Sequence, residues 1–396
     1  MFAEVPLAPP DPIFGVAQRC NASKLEKKYL LSVGVYQDEA GKPYVFPSVS
    51  DAEDKIIHNY AKNYLPMTGY APFVTQAQEL LWGPVLPDIK DRLGSLQSAA
   101  GTGALYLVSR FTKNFLHCPK VLLTNPAWAN YRQIFGANGH ELGFFPWVKD
   151  CVFDLASCLD GLRKEPEGSL IILQACAHNP SGVDPNPEEW QQIFKVVDEK
   201  KFVVCFDFAY MGFASGDINT DASIVREYAK SGHQFFVTFS FSKIMGLYAE
   251  RIGCLHVLAA NSTEAKNVVS QLAVENRRTI SNCPQNGALI AATVLSNPEL
   301  KAKWLEELKQ VTKRIIDIRG KFADLLEQKT PGKSWEHIRK QHGMFALTGL
   351  TPEQVTKLGD EQGVFLPQNG RVSIPALNNS NVDAVAQAIA NIVNAK

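Results

Sequence analysis

The sequence predicts an α/β protein: a larger domain built on a mostly parallel sheet between helices, plus a smaller α+β domain. Three observations carry this expectation. From about residue 50, short near-continuous apolar runs alternate with helical stretches, the pattern of strands covered on both faces by helices. Polar residues of chemical interest fall at the carboxyl ends of those runs, where open α/β sheets bind ligands. A long periodic segment opening on Asn297-Pro-Glu, with Asn as cap and Pro at the first helical position, has the length to bridge two domains.

Taken along the chain, residues 1–14 are proline-rich and predict an extended arm. Residues 51–64 and 74–82 have helical periodicity, and 101–116 read as a helix opening on Gly-Thr-Gly. Strands are expected at 121–124, 169–175, 202–207, 235–240 and 252–258, with a helix at 187–200. The long helix runs to about residue 328. An α+β pattern follows, with a capping box at Thr351-Pro-Glu-Gln354 and a terminal helix from about 381. The expected division is an arm at 1–14, a small domain of 15–46 with 313–396, and a large domain of 47–312.

The composition excludes several classes. Forty basic and forty acidic side chains cancel, so no global charge points to nucleic acid or to an anionic membrane. No stretch has the length of a membrane-spanning helix. The start of the chain has no secretory h-region and no arginine before Arg19, which predicts the cytoplasm. The eight cysteines form no C-x-x-C pair and no metal-ligand spacing with histidine, and several sit in apolar runs as reduced hydrophobes.

The candidate site begins at Lys243, which ends the apolar run Phe235-Phe-Val-Thr-Phe-Ser-Phe-Ser-Lys243. An ammonium there sits in water or in a site that manages its charge. A lone lysine at this place most often marks a strand exit. Ser240-Phe-Ser-Lys243 also matches the S-x-x-K nucleophile motif, but its S-D-N and K-T-G partners are absent. Other strand ends carry Asp207, with Tyr210 three residues on, and Asn179 in a turn-forming Asn-Pro-Ser-Gly; His178 reads as a turn or core histidine. Gly101-Thr-Gly103 precedes a helix whose first N–H groups would cradle a phosphate. Together these groups have one chemical logic. A lysine that condenses with an aldehyde needs an electron sink, an aspartate facing a pyridine nitrogen keeps that sink protonated, and Gly101, Thr102, Ser240 and Arg251 supply a phosphate site. That is the equipment of pyridoxal 5′-phosphate chemistry.

The chain resembles the class I aminotransferases of pyridoxal-phosphate fold type I, and within them the branch that acts on aspartate. The resemblance runs from Val33-Gly-Val-Tyr36 to Gly370-Arg371. Between them, in order, stand Tyr64-Leu-Pro66, Gly101-Thr-Gly-Ala-Leu105, Asn125-Pro-Ala-Trp-Ala-Asn130, Ala175-Cys-Ala-His-Asn-Pro-Ser-Gly182 and Phe206-Asp-Phe-Ala-Tyr-Met-Gly-Phe213. Ser240-Phe-Ser-Lys243, Gly246-Leu-Tyr-Ala-Glu-Arg251, Ser281-Asn-Cys-Pro284 and Gly343-Met-Phe345 complete the set.

The resemblance implies a role for each matched residue. Lys243 would bind the cofactor's aldehyde and move the substrate's α-proton, and Asp207 would face the ring nitrogen. Tyr210 and Asn179 would hydrogen-bond the ring's phenolic oxygen, and Trp128 would stack on the ring. Gly101, Thr102, Ser240 and Arg251 would hold the phosphate, with Tyr64 reaching the phosphate of a neighbouring subunit. Arg371 would grip the substrate's α-carboxylate, with Gly34, Trp128 and Asn179 beside it. Arg277, with Arg278 as an ambiguous neighbour, would cross a homodimer to the distal carboxylate of aspartate or glutamate. The implied reaction is ping-pong transfer of the amino group from L-aspartate to 2-oxoglutarate. Alternatives on the same residues are an aromatic or broad-specificity aminotransferase, a β-lyase of cysteine conjugates, and a non-catalytic binding protein. Three positions depart from the family pattern: Ala100 for a serine, Tyr131 for a histidine behind the aspartate, and Met245 beside the lysine.

Overall fold

The computed structural model describes residues 1–395. Its centre is a sheet of β1 (Leu93–Ala99), β2 (Val121–Asn125), β3 (Leu142–Pro146), β4 (Leu170–Gln174), β5 (Val203–Phe208), β6 (Phe235–Ser240) and β7 (Ile252–Leu258). The spatial order is β1-β7-β6-β5-β4-β2-β3. From β3 through β6 every pairing is parallel. Among the described residues β7 alone in this sheet runs antiparallel, to both β6 and β1. The apolar runs became these strands because both faces are covered: β4, β6 and β7 are buried along their whole length.

The β1 and β3 strands lie outside the expected set. β1 is Leu-Gly-Ser-Leu-Gln-Ser-Ala, polar and glycine-bearing, yet it pairs with β7 over seven residues. Gly94 has no room for a side chain, since a Cβ would come within 2.6 Å of Val269 Cγ2. β3 ends on Pro146 at the sheet edge, where a missing N–H costs little.

The expected helix at 51–64 is instead Pro47–Ile56, and residues beyond it are irregular, with His58 at φ 68°. The apolar side chains past that point, Ile57 and Tyr64, are exposed, so no tertiary packing in this chain supports further turns. The next helix, Ala71–Trp82, starts earlier than the periodicity indicated because Pro72 sits in its first turn.

Three further helices frame the site. α1 (Ala100–Phe111) follows β1 without a break, α2 (Ser262–Thr279) packs on β1, and α3 (Pro298–Lys329) is the long bridge. The side chain of Asn297 caps α3 by accepting from the N–H groups of Glu299 and Leu300. At 32 residues α3 is about 48 Å long. Near its start the indole N–H of Trp304 donates to Ile244 O at 2.7 Å, and the Glu307 carboxylate accepts from Ser48 N and Oγ. Further on, buried Arg319 donates to the carbonyls of Ile338, Gly343 and Phe345. The same rod thus holds the lysine turn at one end and the strand pair Phe345–Leu347 with Arg371–Ser373 at the other. The Thr351 capping box and the terminal helix Val382–Asn394 form as the sequence indicates. No helix of the described residues is long and apolar enough to cross a membrane.

Candidate active site

The single antiparallel strand creates the site. Its register sets Ile252 beside Ala99 and Gly253 beside Ser240. The start of α1, the end of β6 and the residue before β7 therefore meet at one edge. Gly253 permits this approach: a Cβ there would lie 2.8 Å from the carbonyl carbon of Ala100. A cavity of about 480 Å³ opens at that edge. Gly34, Gly101, Thr102, Trp128, Asn179, Asp207, Tyr210, Ser240, Lys243, Arg251 and Arg371 all line it, and so do Asp11, Ile13 and Phe14 from the end of the arm.

Lys243 sits in the helical turn Phe241–Ile244 after β6. Burial pushes its ammonium down to about 8; Asp207 opposes the shift, and Arg251 and Arg371 add to it. The amine therefore gives up its proton more readily than a free lysine's, as suits a nucleophilic lysine. Asp207, at the end of β5, accepts from Tyr131 Oη at 2.6 Å on Oδ2 and from Thr238 Oγ1 at 3.1 Å on Oδ1. Burial raises the carboxyl's pKa, while these two donors and Lys243 work against it. Tyr131 therefore does reach the aspartate, as a neutral donor in place of an imidazole.

Asn179 is a junction. Its Nδ2 faces Tyr210 Oη at 3.4 Å, its Oδ1 accepts from Arg371 Nη1 at 2.8 Å, and its backbone is gripped on both sides by the Gln174 amide. Arg371 is buried over the Phe345 ring, 4.0 Å from the centroid, and also donates to Ser32 O. Burial lowers its guanidinium to about 10. Among the described residues its Nε has no hydrogen-bond partner and no carboxylate lies within salt-bridge distance of it. A buried cation with an idle donor is the mark of a missing anion.

The opposite end of the cavity suits a phosphate. α1 begins at Ala100 with no side-chain cap, so its first N–H groups have no capping partner. Gly101 keeps the approach open, since a Cβ would sit 3.3 Å from Ser240 Cβ and 4.0 Å from Asp207 Oδ1. Arg251 is fixed across from it, donating to Tyr248 O at 3.0 Å and facing Ser242 Oγ at 3.4 Å. The donor set therefore fits a phosphate-bearing aldehyde cofactor at three points: aldehyde at Lys243, ring nitrogen at Asp207, phosphate at α1. Ala100 removes one hydroxyl from this set, and Met245 is buried away from it.

Two expected residues lie elsewhere. Tyr64 is 85 % exposed, and Arg277 is exposed with Ser281 Oγ as its hydrogen-bond partner. Arg278 is tied to buried Glu275 at 2.5 Å, whereas Arg277 makes no salt bridge among the described residues. His178 is a satisfied core histidine, bonded to Thr124 and Ser181 and stacked on Trp147. Sequence reasoning missed Gln174, Thr238 and Tyr248. Gln174 had a visible signal, a polar residue closing an apolar strand, whereas Thr238 was hidden within one.

Fold and site together define an α/β protein with a buried lysine and a buried aspartate lining one cavity at the strand ends. A family model for aminotransferase class I and II matches residues 26–389. The chain belongs to that family. It is similar to the cytoplasmic aspartate aminotransferase of Schizosaccharomyces pombe, at 42% identity over 99% of this chain and 98% of that protein. It is also similar to the mitochondrial aspartate aminotransferase of the same organism, at 41% over 98% and 90%. Among solved structures, the aromatic-amino-acid aminotransferase of Burkholderia pseudomallei, covalently bound to pyridoxal phosphate, superposes with a TM-score of 0.95. It is 37% identical over 99% of both chains.

Proposed function

We propose that this pyridoxal 5′-phosphate-dependent transaminase is an aspartate aminotransferase that passes the amino group of L-aspartate to 2-oxoglutarate in ping-pong turnover. One observation carries the reading. The cavity lined by a buried lysine and a buried aspartate also holds Arg371, a buried guanidinium with no salt-bridge partner among the described residues. When bound, the cofactor supplies an aldehyde to receive the amino group and a ring to hold the electrons released at the α-carbon. Lys243 would take the proton from the substrate's α-carbon and deliver it to the carbon on the far side of the transferred nitrogen, two atoms away. Asp207 would hold a proton on the ring nitrogen, Tyr210 and Asn179 would donate to the phenolic oxygen, and Trp128 would cover the ring. Gly101, Thr102, Ser240 and Arg251 would anchor the phosphate. Arg371 orients the α-carboxylate against the wall formed by Gly34, Trp128 and Asn179.

Specificity for a second carboxylate falls to Arg277 of a neighbouring copy, and Tyr64 contributes to the neighbour's phosphate site, so the active unit is a homodimer. The exposure of both residues supports this reading, as do the exposed apolar side chains of Met67, Val274 and Ile280 nearby in sequence. The arm at 1–14, the small domain of 15–46 with 313–396 and the large domain of 47–312 stand as the proposed division, supported by the separate sheets on either end of α3. Cytoplasm is the proposed compartment; eight free cysteines support reducing surroundings.

The test is kcat/KM for aspartate and for phenylalanine with 2-oxoglutarate as acceptor, in the wild type and in Arg277→Ala. The reading requires aspartate to win and to lose its advantage in the variant, because an unpaired arginine discriminates strongly. The likeness to the Burkholderia enzyme favours an aromatic aminotransferase as second reading, and a preference for phenylalanine that survives Arg277→Ala would establish it.

A further inference from the structure

The two exposed residues, Tyr64 and Arg277, are far apart in sequence but share one buried anchor. Gln97 of β1 is fully buried and is not part of the cavity wall. Its side-chain oxygen accepts from Tyr70 N at 2.8 Å, and its side-chain nitrogen donates to Pro284 O at 2.8 Å. One amide therefore holds the end of the 64–70 loop and the end of the 280–284 segment that follows α2, whose last turn carries Arg277. Its main chain repeats the pattern: Gln97 N donates to Thr68 O, and Gln97 O accepts from Asn276 Nδ2 at 3.0 Å. Asn276 also reaches Met67 O, and Asn282 Nδ2 donates to Leu65 O. Gly69, at φ 91°, lies so close that any Cβ would collide with the Gln97 side chain. A primary amide is the side chain that can do this, since it donates and accepts at once toward two backbones.

We propose that Gln97 is a positioning residue for the neighbouring subunit's active site, bracing the 64–70 loop and the end of α2 so that Tyr64 and Arg277 reach across together. This rests on the homodimer reading above. It separates from a local role because Gln97 stands three residues before Ala100 of its own phosphate site, so an effect on its own chain's site and an effect on the neighbour's site are distinct outcomes.

Hybrid dimers carrying two different purification tags read the difference, with Lys243→Ala used to silence one site. In the first arrangement Gln97→Met and Lys243→Ala share a chain, and the surviving site, on the unaltered chain, receives Tyr64 and Arg277 from the Gln97→Met chain. There KM for aspartate rises about tenfold, the scale of one impaired hydrogen bond to a charged group, and pyridoxal phosphate is lost faster on dialysis. In the second arrangement the substitutions are on opposite chains, and both values stay at those of the hybrid carrying Lys243→Ala alone. The reverse pattern, or equal values in both arrangements, overturns the proposal. Arg277→Ala in the same two arrangements is the control. If it too acts only on its own chain's site, the cross-subunit reading itself fails. If it acts across and Gln97→Met does not, the brace alone fails. Should Gln97→Met not assemble, Asn276→Leu cuts the same brace from α2 and is read identically.

Discussion

The phenol of Tyr131 donates a 2.6 Å hydrogen bond to Oδ2 of Asp207, at the carboxylate that faces the cavity beside Lys243. Tyr131 is itself fully buried, and its proton is held firmly, burial and the adjacent carboxylate both raising its pKa. It is thus a neutral donor at every physiological pH and adds no positive charge to offset the aspartate.

Removing that donor weakens the hold on the cofactor. Tyr131→Phe forfeits a hydrogen bond to a charged group, worth about 1.5–3 kcal/mol, which raises the dissociation constant of pyridoxal phosphate by roughly ten- to a hundredfold. Titration of the apoprotein followed by absorbance measures it. Tyr131→His, which keeps a donor, recovers most of the loss; a Phe variant with wild-type affinity would remove Tyr131 from the account.

Lys243 gives a pH signature. Its folded pKa of about 8 lies below that of a free lysine, so the amine is charged below pH 8 and neutral above. Covalent attachment of pyridoxal phosphate to the apoprotein accelerates by about tenfold per unit as pH rises toward 8 and levels off beyond it. The unfolded chain binds this proton up to a higher pH, so the same group makes the apoprotein more stable as pH climbs through 8. Stopped-flow absorbance reads the first effect. Asp207→Ala, which removes the opposing carboxylate, moves the midpoint to lower pH.

Gly34 permits a contact. A Cβ there would come within 2.7 Å of Phe345 Cζ, and Phe345 is the ring on which Arg371 lies. Gly34→Ala forces that ring aside, an overpacking of about 1–3 kcal/mol, and it raises KM for aspartate more than it lowers kcat. A variant with unchanged steady-state constants would show that the ring does not steer the arginine.

Glu307 is a stability prediction. Its buried carboxylate accepts from Ser48 N at 3.1 Å and Ser48 Oγ at 2.6 Å, joining α3 to the helix Pro47–Ile56. Glu307→Ala strands both donors and costs about 2–3 kcal/mol of unfolding free energy. Denaturant titration of the apoprotein checks it, with Ser48→Ala losing less because the backbone bond survives.

Much of this was legible in residue order. The β4, β6 and β7 strands announced themselves because strands buried on both faces need unbroken apolar runs. Lys243, Asp207 and Asn179 announced themselves by interrupting or closing such runs. β1 was silent for the opposite reason. Its residues were chosen for contacts the sequence does not display: Gly94 for Val269, Gln97 for two loops, Ala99 for the entry to α1. The tie of Arg278 to Glu275, which the fold buries, was equally hidden.

The reversed strand has a consequence for how the molecule is made. Ala99 through Thr102 and Ser240 through Arg251 are adjacent only because β7 is threaded between β1 and β6. Contacts so distant along the chain carry a large loop-closure cost and form late. The phosphate end of the cavity therefore does not exist in partly folded chains that lack this threading. Capture of pyridoxal phosphate, with its colour, therefore marks molecules in which this threading is complete, and the cofactor stabilises only those.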